Sequence, residues 1–320
     1  MSEAAAKPVA RRHEKYERLI AATNDLAPLP TAVAYPCDET SLRGAVEAAD
    51  AGIIVPILVG PKGRISDLAN SLKVDISGLE IVDTSSSIEA ASRAVELVRE
   101  GKAELLMKGS LHSDEILGAA ARRENGLRTG RRISHVFVMD VPTHAQTLFI
   151  TDAAVNIAPD LNAKRDIIQN AIDLYAALGL GVPKVAILSA VETVTTSIPS
   201  TIEAAALCKM ADRGQITGGV LDGPLAFDNS ISPEAARIKG IKSPVAGEAQ
   251  ILVVPDLEAG NMLAKNLTFL SNADAAGIVL GARVPIILTS RADNLRTRMA
   301  SCAVAMLLAH SRRAKDPIRT

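Results

Sequence analysis

Short apolar runs alternate with helical patterns from about residue 30 onward, and this alternation constrains the fold more than any other feature of the chain. Residues 31–35 (TAVAY) have the composition of a strand, residues 41–51 the periodicity of an amphipathic helix, and residues 53–59 (IIVPILV) form a second apolar run. A strand, a helix and a strand at this spacing form a βαβ unit with parallel strands. The pattern predicts an α/β fold.

The alternation breaks once, at residues 136–139 (VFVM) and 147–151 (TLFIT). Two strand-like runs follow each other here without an intervening helix, which predicts a β-hairpin. We interpret this break as a domain boundary, because 320 residues are enough for two domains of ordinary size.

Composition excludes several classes of protein. Lys and Arg number 35 against 36 Asp and Glu, and aromatic residues make up only 2% of the chain, so neither a basic field nor a stacking surface for nucleic acid is expected. The three cysteines lack metal-ligand spacing, and we expect no metal site. An odd cysteine count without a signal-peptide pattern indicates reduced thiols in the cytoplasm. No apolar run is long enough for a membrane span.

The stretch 285–302 (PIILTSRADNLRTRMASC) carries the strongest functional signal. A short strand ends in a turn that supplies Thr289, Ser290, Arg291 and Asp293, and a helix follows. Polar groups at the carboxyl end of a strand in an α/β sheet commonly bind ligands, and the start of a helix favours an anion. This pattern predicts an anion-binding active site.

Another predicted strand, residues 103–107, leads into Lys108, Gly109 and Ser110. These residues have the chemistry to hold a phosphoryl oxygen. The alternative is a purely structural turn in which Ser113 caps the next helix. Arg132 ends a loop with five arginines at residues 122–132 (RRENGLRTGRR). That loop is either a solvated surface segment or a grip on a phosphorylated ligand.

Other polar residues follow predicted strands in the second half of the chain, and we expect their tips to line one edge of the sheet together with residues 290–293. Each has an ordinary alternative: a turn residue, a loop-holding side chain or the start of a helix. The candidates are Ser189, Asp222, and residues 256–261 with Gly260 and Asn261; Asn156, in a loop after a strand, is a further candidate.

Five motifs in register resemble the phosphate acetyltransferase and phosphate butyryltransferase family. They cover the chain from about residue 30 to 310, and their sequences are TDAAVNIAPD (151–160), DGPLAFDNSIS (222–232), SPVAG (243–247), PDLEAGN (255–261) and LTSRAD (288–293). The resemblance implies reversible acyl transfer between coenzyme A and inorganic phosphate, with coenzyme A as a substrate and no redox cofactor.

The resemblance also implies a two-domain α/β fold like that of isocitrate and isopropylmalate dehydrogenases, with mixed or parallel sheets, helices on both faces and a homodimeric assembly. The first domain would comprise residues 1–138 and 285–320 and the second residues 139–284, with the active-site cleft between them. Ser290, Arg291 and Asp293 would be catalytic. Substrate would bind to Lys108, Gly109, Ser110, Arg132, Asn156, Asp222, Gly260, Asn261 and Thr289.

The chain departs from the acetyl-type pattern where paired acids usually follow the SR dipeptide, because Arg296 and Thr297 stand there. This leaves Asp293 as the carboxylate of the turn and keeps a butyryl-type enzyme, or a non-catalytic sensor of acyl phosphate or coenzyme A, as alternatives. A nicotinamide-dependent decarboxylating dehydrogenase would need clustered aspartates and a Tyr–Lys pair, and none of the three tyrosines has such a setting.

Overall fold

The computed structural model describes residues 14–290 and 293–315, so Arg291 and Ala292 lie outside the described residues. The strands are β1 (Leu29–Ala34), β2 (Ile54–Gly60), β3 (Glu80–Asp83), β4 (Leu105–Lys108), β5 (Ser134–Asp140), β6 (Leu148–Thr151), β7 (Lys184–Leu188), β8 (Val220–Leu225), β9 (Ile251–Val253), β10 (Asp274–Leu280) and β11 (Ile286–Ile287). The helices are α1 (Glu14–Ala21), α2 (Glu39–Asp50), α3 (Lys62–Leu72), α4 (Ser87–Arg99), α5 (Ser113–Ala121), α6 (Leu161–Ala177), α7 (Pro199–Asp212), α8 (Phe227–Ile231), α9 (Pro233–Ile238), α10 (Leu257–Leu270) and α11 (Leu295–Lys315).

In the described part of the chain, the strands form one sheet in the order β3-β2-β1-β4-β11-β10-β5-β6-β9-β7-β8. The predicted βαβ unit is confirmed, because β1 pairs in parallel with β2 and Leu29 lies opposite Ile54. The chain returns from its C-terminal part to insert β11 beside β4, with Ile287 opposite Met107. None of the described helices is long and apolar enough to span a bilayer.

The centre of the sheet is antiparallel. The predicted hairpin is confirmed, since β5 pairs antiparallel with β6 and Val136 lies opposite Thr151. Strand β10 is antiparallel to both β5 and β11. Three successive reversals therefore separate β11 from β6, and the parallel set β6, β9, β7 and β8 runs opposite to β4 and β11.

This reversal corrects one expectation from the sequence. The strands that precede the loops after β7 and β9 run opposite to β11, so these polar tips do not extend from one edge of a parallel set. The register still brings the strand ends level, because Ile287 on β11, Thr151 on β6 and Val253 on β9 lie in one row across β10 and β5. The β5–β6 hairpin is the last of three antiparallel pairings between β11 and β6. An odd number of antiparallel pairings reverses the direction of the strands that follow.

Alternate residues along the strands point to opposite faces of the sheet, and both faces carry helices. On one face a continuous core runs from Leu58 on β2 through Met107 and Ile287 to Ile251 on β9. On the other face the buried residues form two separate clusters, one around Leu106 with α4 and α5, the other around Ile150 with α10. The predicted domain limits at residues 138 and 284 stay a prediction.

Helix α11 packs along the continuous core. Cys302 and Met306 are fully buried, as their shared helical face predicts, whereas Leu295 at the helix start is 45% exposed. The Ser301 hydroxyl accepts a hydrogen bond from the Gly277 amide at 3.0 Å, which ties the helix to β10. Gly277 has no room for a side chain, because a Cβ there would lie 2.4 Å from the Leu288 carbonyl oxygen.

Candidate functional site

The described residues of the turn between β11 and α11, which are Thr289, Ser290, Asp293 and Asn294, are held together by Asp293. The Asp293 carboxylate accepts a hydrogen bond from the Ser290 amide at 2.6 Å, and the Asp293 amide donates to the Ser290 carbonyl at 3.2 Å. Asn294 then caps the helix by accepting from the Thr297 amide at 2.9 Å. We call this turn, together with the side chains that contact it, the corner. It leaves Ser290 exposed, with Asp293 behind it.

Arg298 lies beneath the corner and is 3% exposed. Its guanidinium donates to the Thr289 hydroxyl at 2.8 Å and to the Ser290 carbonyl oxygen at 2.9 Å. The sequence indicated only that this residue adds positive charge near the turn. The stronger signal was its position four residues before Cys302, because that spacing places Arg298 on the buried face of α11.

Lys108 joins the corner from the neighbouring strand. It is 4% exposed, and its Nζ lies 3.4 Å from both the Thr289 and the Gly109 carbonyl oxygens. The parallel pairing of β4 and β11 brings the two strand ends side by side, so residues 181 positions apart meet here.

Gly109 and Ser110 hold the end of β1. A Cβ on Gly109 would lie 2.4 Å from the carbonyl oxygens of both Ala34 and Tyr35, so this position accepts only glycine without a shift of the backbone. The Ser110 hydroxyl donates to the Tyr35 carbonyl at 3.0 Å. Helix α5 begins at Ser113 with the preceding residue in the N-cap position, so Ser113 is not the cap.

The electrostatics of the corner centre on Asp293. Burial raises the pKa of its carboxyl above the ordinary value, and this effect outweighs the hydrogen bond from the Ser290 amide and the positive charges of Arg298, Lys265 and Lys108, which lower the pKa. The result is a carboxyl group that takes up a proton more readily than an exposed aspartate.

Arg132 and Asn156 meet in a second group, at the carboxyl end of β6. The Arg132 Nε donates to the Asn156 side-chain oxygen at 2.7 Å, and the Asn156 side-chain nitrogen donates to the Ile133 carbonyl at 2.9 Å. Asp152, which sequence reasoning missed, organises this loop, because its carboxylate accepts from the amides of Ala154, Val155 and Asn156. Its burial raises the pKa of Asp152, and these hydrogen bonds oppose that shift.

Helix α10 connects the second group to the corner. Near its start, the Asn261 side chain donates to the Ala153 carbonyl at 3.2 Å, and a Cβ on Gly260 would lie 3.0 Å from the Ala153 Cβ. One turn further along the helix, Lys265 is close enough to Asp293 for its charge to lower the pKa of that carboxyl.

Asp222 is not brought to either group. It lies within β8 at the edge of the sheet, where its side chain accepts a hydrogen bond from the Gly223 amide at 2.8 Å. The sequence predicted a turn here, but the strand continues to Leu225 with an irregular register against β7. Cys302 belongs to the core and not to the site, because it is fully buried, and burial raises the pKa of its thiol to about 12.

Comparison with known proteins adds an independent finding. Residues 84–306 match the family model described as "Phosphate acetyl/butaryl transferase". The chain is 72% identical to a phosphate acetyltransferase of Rhizobium meliloti over 94% of its own length and 95% of that protein. It is 43% identical to a phosphate butyryltransferase of Clostridium beijerinckii over 92% of its length and 98% of that protein.

Solved structures agree with the fold. A branched-chain phosphotransacylase from Enterococcus faecalis superposes with a TM-score of 0.77 at 30% identity, over 88% of this chain and 99% of that one. A 4-hydroxythreonine-4-phosphate dehydrogenase from Burkholderia phymatum shares the fold alone, with a TM-score of 0.54 at 12% identity over 89% of this chain and 99% of that one. The predicted fold class, an α/β architecture of the dehydrogenase type, is confirmed.

Proposed function

The chain belongs to the phosphate acetyltransferase and phosphate butyryltransferase family, and from this premise we propose that it transfers an acetyl group reversibly between coenzyme A and inorganic phosphate. The products in one direction are acetyl phosphate and free coenzyme A. The observation that carries the proposal is the close similarity, over nearly the whole chain, to the Rhizobium meliloti phosphate acetyltransferase. The protein is accordingly an acyltransferase.

We propose that the corner activates the thiol of coenzyme A. A free thiol has a pKa of about 8.5 and is mostly protonated at neutral pH, and lowering that value by about two units stabilises the thiolate by about 2.7 kcal/mol. The exposed Ser290 hydroxyl is suited to hydrogen-bond the sulfur, and Arg291, which lies outside the described residues, supplies charge in this proposal. Asp293 acts as the general base, and the rise in its pKa favours proton uptake.

The other substrate, the acyl phosphate, needs cations near its phosphoryl oxygens and donors near its carbonyl. Lys108 places a cation beside Thr289 at the corner, and with Arg291 it is proposed to hold the phosphate. Asn261 or backbone amides would stabilise the oxyanion that develops on the carbonyl. The thiolate then displaces phosphate directly in a ternary complex, because the corner offers no covalent nucleophile in this scheme.

The remaining candidate residues are also proposed to take part in substrate binding. Arg132 is exposed and held by Asn156, which suits a contact with a phosphate of coenzyme A, and Gly260 packs beside the same loop. Gly109 and Ser110 donate hydrogen bonds to the carbonyl oxygens of Ala34 and Tyr35, and these bonds hold the turn after Lys108 against the end of β1. Asp222 has the least support, since it lies at the far edge of the sheet.

The two-domain division, with a cleft between residues 1–138 plus 285–320 and residues 139–284, is also proposed. The separation of the core into two clusters on one face of the sheet supports this proposal, because each proposed domain would then have its own core on that face. We further propose a homodimer that acts in the cytoplasm without a metal or a redox cofactor.

A longer acyl chain is the alternative. Two observations favour it. One is the similarity to a phosphate butyryltransferase. The other is the SRAD sequence at residues 290–293, followed by Thr297 at a position where the acetyl-type pattern has an acid. Rates with acetyl, propionyl and butyryl phosphate at equal concentration distinguish the two, and a preference for butyryl phosphate would assign the chain to the butyryl type.

The proposed reaction is tested by mixing purified protein with coenzyme A and acetyl phosphate and following thioester formation. Ser290→Ala is expected to lower kcat roughly 10- to 1000-fold, as for the loss of one transition-state donor. The matched control is Ser71→Ala on α3, an exposed serine far along the chain from the corner, which should keep the wild-type rate. Absence of thioester with all three acyl phosphates would refute the proposal.

A further inference from the structure

Arg298 combines three features that an arginine with a purely structural role does not require. It is almost fully buried, it donates to two consecutive residues of the corner, and its Nε has no hydrogen-bond partner among the described residues. A buried guanidinium with an unsatisfied donor costs stability, so its burial is not explained by folding alone.

The packing around Arg298 holds it in one place. On α2, a Cβ on Gly44 would lie 2.8 Å from the Arg298 Cδ, so the absence of a side chain at Gly44 makes the space for the arginine stem. The guanidinium end then meets the Thr289 hydroxyl and the Ser290 carbonyl. Helix α2, helix α11 and the end of β11 are thereby joined through this one side chain.

We infer that Arg298 is the positioning residue of the corner: it fixes the backbone of Thr289 and Ser290 so that the Ser290 hydroxyl and the Asp293 carboxylate face the same reacting group. The inference rests on the proposed acyl transfer. Arg298 acts through these two residues and does not itself contact substrate, because it is only 3% exposed and its guanidinium is turned onto the corner.

The charge of Arg298 adds a second effect, through Asp293. Among the described residues, the charged groups that act on Asp293 are Lys108 at the end of β4, Lys265 on α10 and Arg298 on α11, and all three lower its pKa. Asp293 and Asp38 favour the charged form of Arg298 in turn, whereas burial lowers the pKa of the guanidinium. Removing the positive charge of Arg298 therefore raises the pKa of Asp293 further.

The test compares Arg298→Met, Arg298→Lys and Gly44→Ala with wild type. Methionine fills the space of the arginine's apolar stem and carries no charge. We expect kcat to fall roughly 10- to 100-fold, because displaced catalytic groups stabilise the transition state less well. KM for coenzyme A should change little, because the contacts that bind it remain. The acid limb of the pH–rate profile should move to higher pH in Arg298→Met and stay near wild type in Arg298→Lys, which keeps the charge.

Gly44→Ala leaves the arginine in place and pushes on its stem, so it should lower kcat by a smaller factor without moving the acid limb. The matched control is Arg313→Met, which removes an arginine from the far end of the same helix, where it pairs with Glu104; wild-type kcat is expected. Thermal unfolding checks that each variant is folded.

Two failures are distinguishable. If wild-type protein forms no thioester, the proposed function fails before any variant is compared. If wild type is active and folded Arg298→Met and Arg298→Lys keep its kcat and pH profile, the positioning role is overturned. Should Arg298→Met not fold, wild-type kcat in both Arg298→Lys and Gly44→Ala overturns it equally.

Discussion

A single carboxyl group sets the chemistry of the corner. The Asp293 carboxylate accepts a hydrogen bond from the Ser290 amide and is also the proposed general base. The hydrogen bond favours the charged carboxylate, whereas burial favours the neutral carboxylic acid, and burial has the larger effect on the pKa. Its proton affinity therefore depends on how completely the corner excludes water.

Asp293→Asn tests this residue. Burial raises the pKa of Asp293 above its ordinary value of about 3.9. A base must be deprotonated, so the wild-type rate should fall as pH falls through that raised value. The variant should lose roughly 10²- to 10⁴-fold in kcat and also lose this acid limb. The measurement is kcat/KM against pH, and an unchanged limb in the variant would assign the titration to another group.

The glycine of the Lys108 turn gives a prediction for stability. Gly109→Ala places a Cβ 2.4 Å from two carbonyl oxygens, so β1 and β4 must separate, and the free energy of unfolding should fall by about 2–4 kcal/mol. The matched control is Gly118→Ala on α5, where nothing lies within 4 Å, and a gain of about 0.5–1 kcal/mol is expected. Urea unfolding compares them; equal midpoints would show that the turn tolerates a side chain.

Among the elements, α10 is the one that reaches both groups of the candidate site. It starts beside Ala153, and Lys265 on the same helix acts on Asp293. The strands that lead into the two groups, β6 and β11, run in opposite directions and end level with each other, with β5 and β10 between them. The helix sets the relation between the two groups, and a shift of α10 would change the charge at the corner.

Lys265→Gln measures this connection. Loss of its positive charge should raise the pKa of Asp293, and the acid limb of kcat/KM should move to higher pH. Because Lys265 is exposed, the shift should be small and should shrink as salt is added. Glu258→Gln, in the first turn of the same helix, serves as control and should leave the limb in place. A shift that persists at high salt would contradict an electrostatic origin.

The positions of the helices and strands were largely predictable from the sequence, whereas the directions of the strands within the sheet were not. Apolar runs located β1, β2 and the β5–β6 hairpin because strand burial leaves a local signal. Helix α3 went unpredicted, since only Ile65 and Ala69 are buried and its apolar face is narrow. The opposite directions of β11 and of β7 and β9 depend on the pairing of β10 with β5, which are far apart in sequence, and no local pattern predicts that pairing.

The same limit applies to the site. The corner was predictable because Thr289, Ser290 and Asp293 are adjacent in sequence, and their bonds are local. The burial of Arg298 was not predicted, because it depends on a gap opposite Gly44 on another helix. Asp152 was missed for a similar reason: its role comes from a loop that folds back on its carboxylate.

At the scale of the whole molecule, one face of the sheet is a continuous core and the other is divided. A shared sheet of this kind would limit how the two proposed domains move, since β5 and β10 pair over seven residues where the proposed boundary lies. Closure of the proposed cleft would then come from twisting of the central strands and from the helices on the divided face.

The outer face of α10 predicts how two copies assemble. Phe269 is 72% exposed and Leu270 79%, with Met262 two turns earlier also in solvent, and adjoining exposed apolar side chains mark an association surface. The Phe269→Glu, Leu270→Glu double variant should shift the proposed dimer toward monomer in sedimentation velocity at micromolar concentration, because charges would be buried without partners. Ile88→Glu on α4, 63% exposed, is the control and should remain dimeric. A double variant that stays dimeric would move the interface elsewhere, and a monomeric wild type would remove the dimer itself.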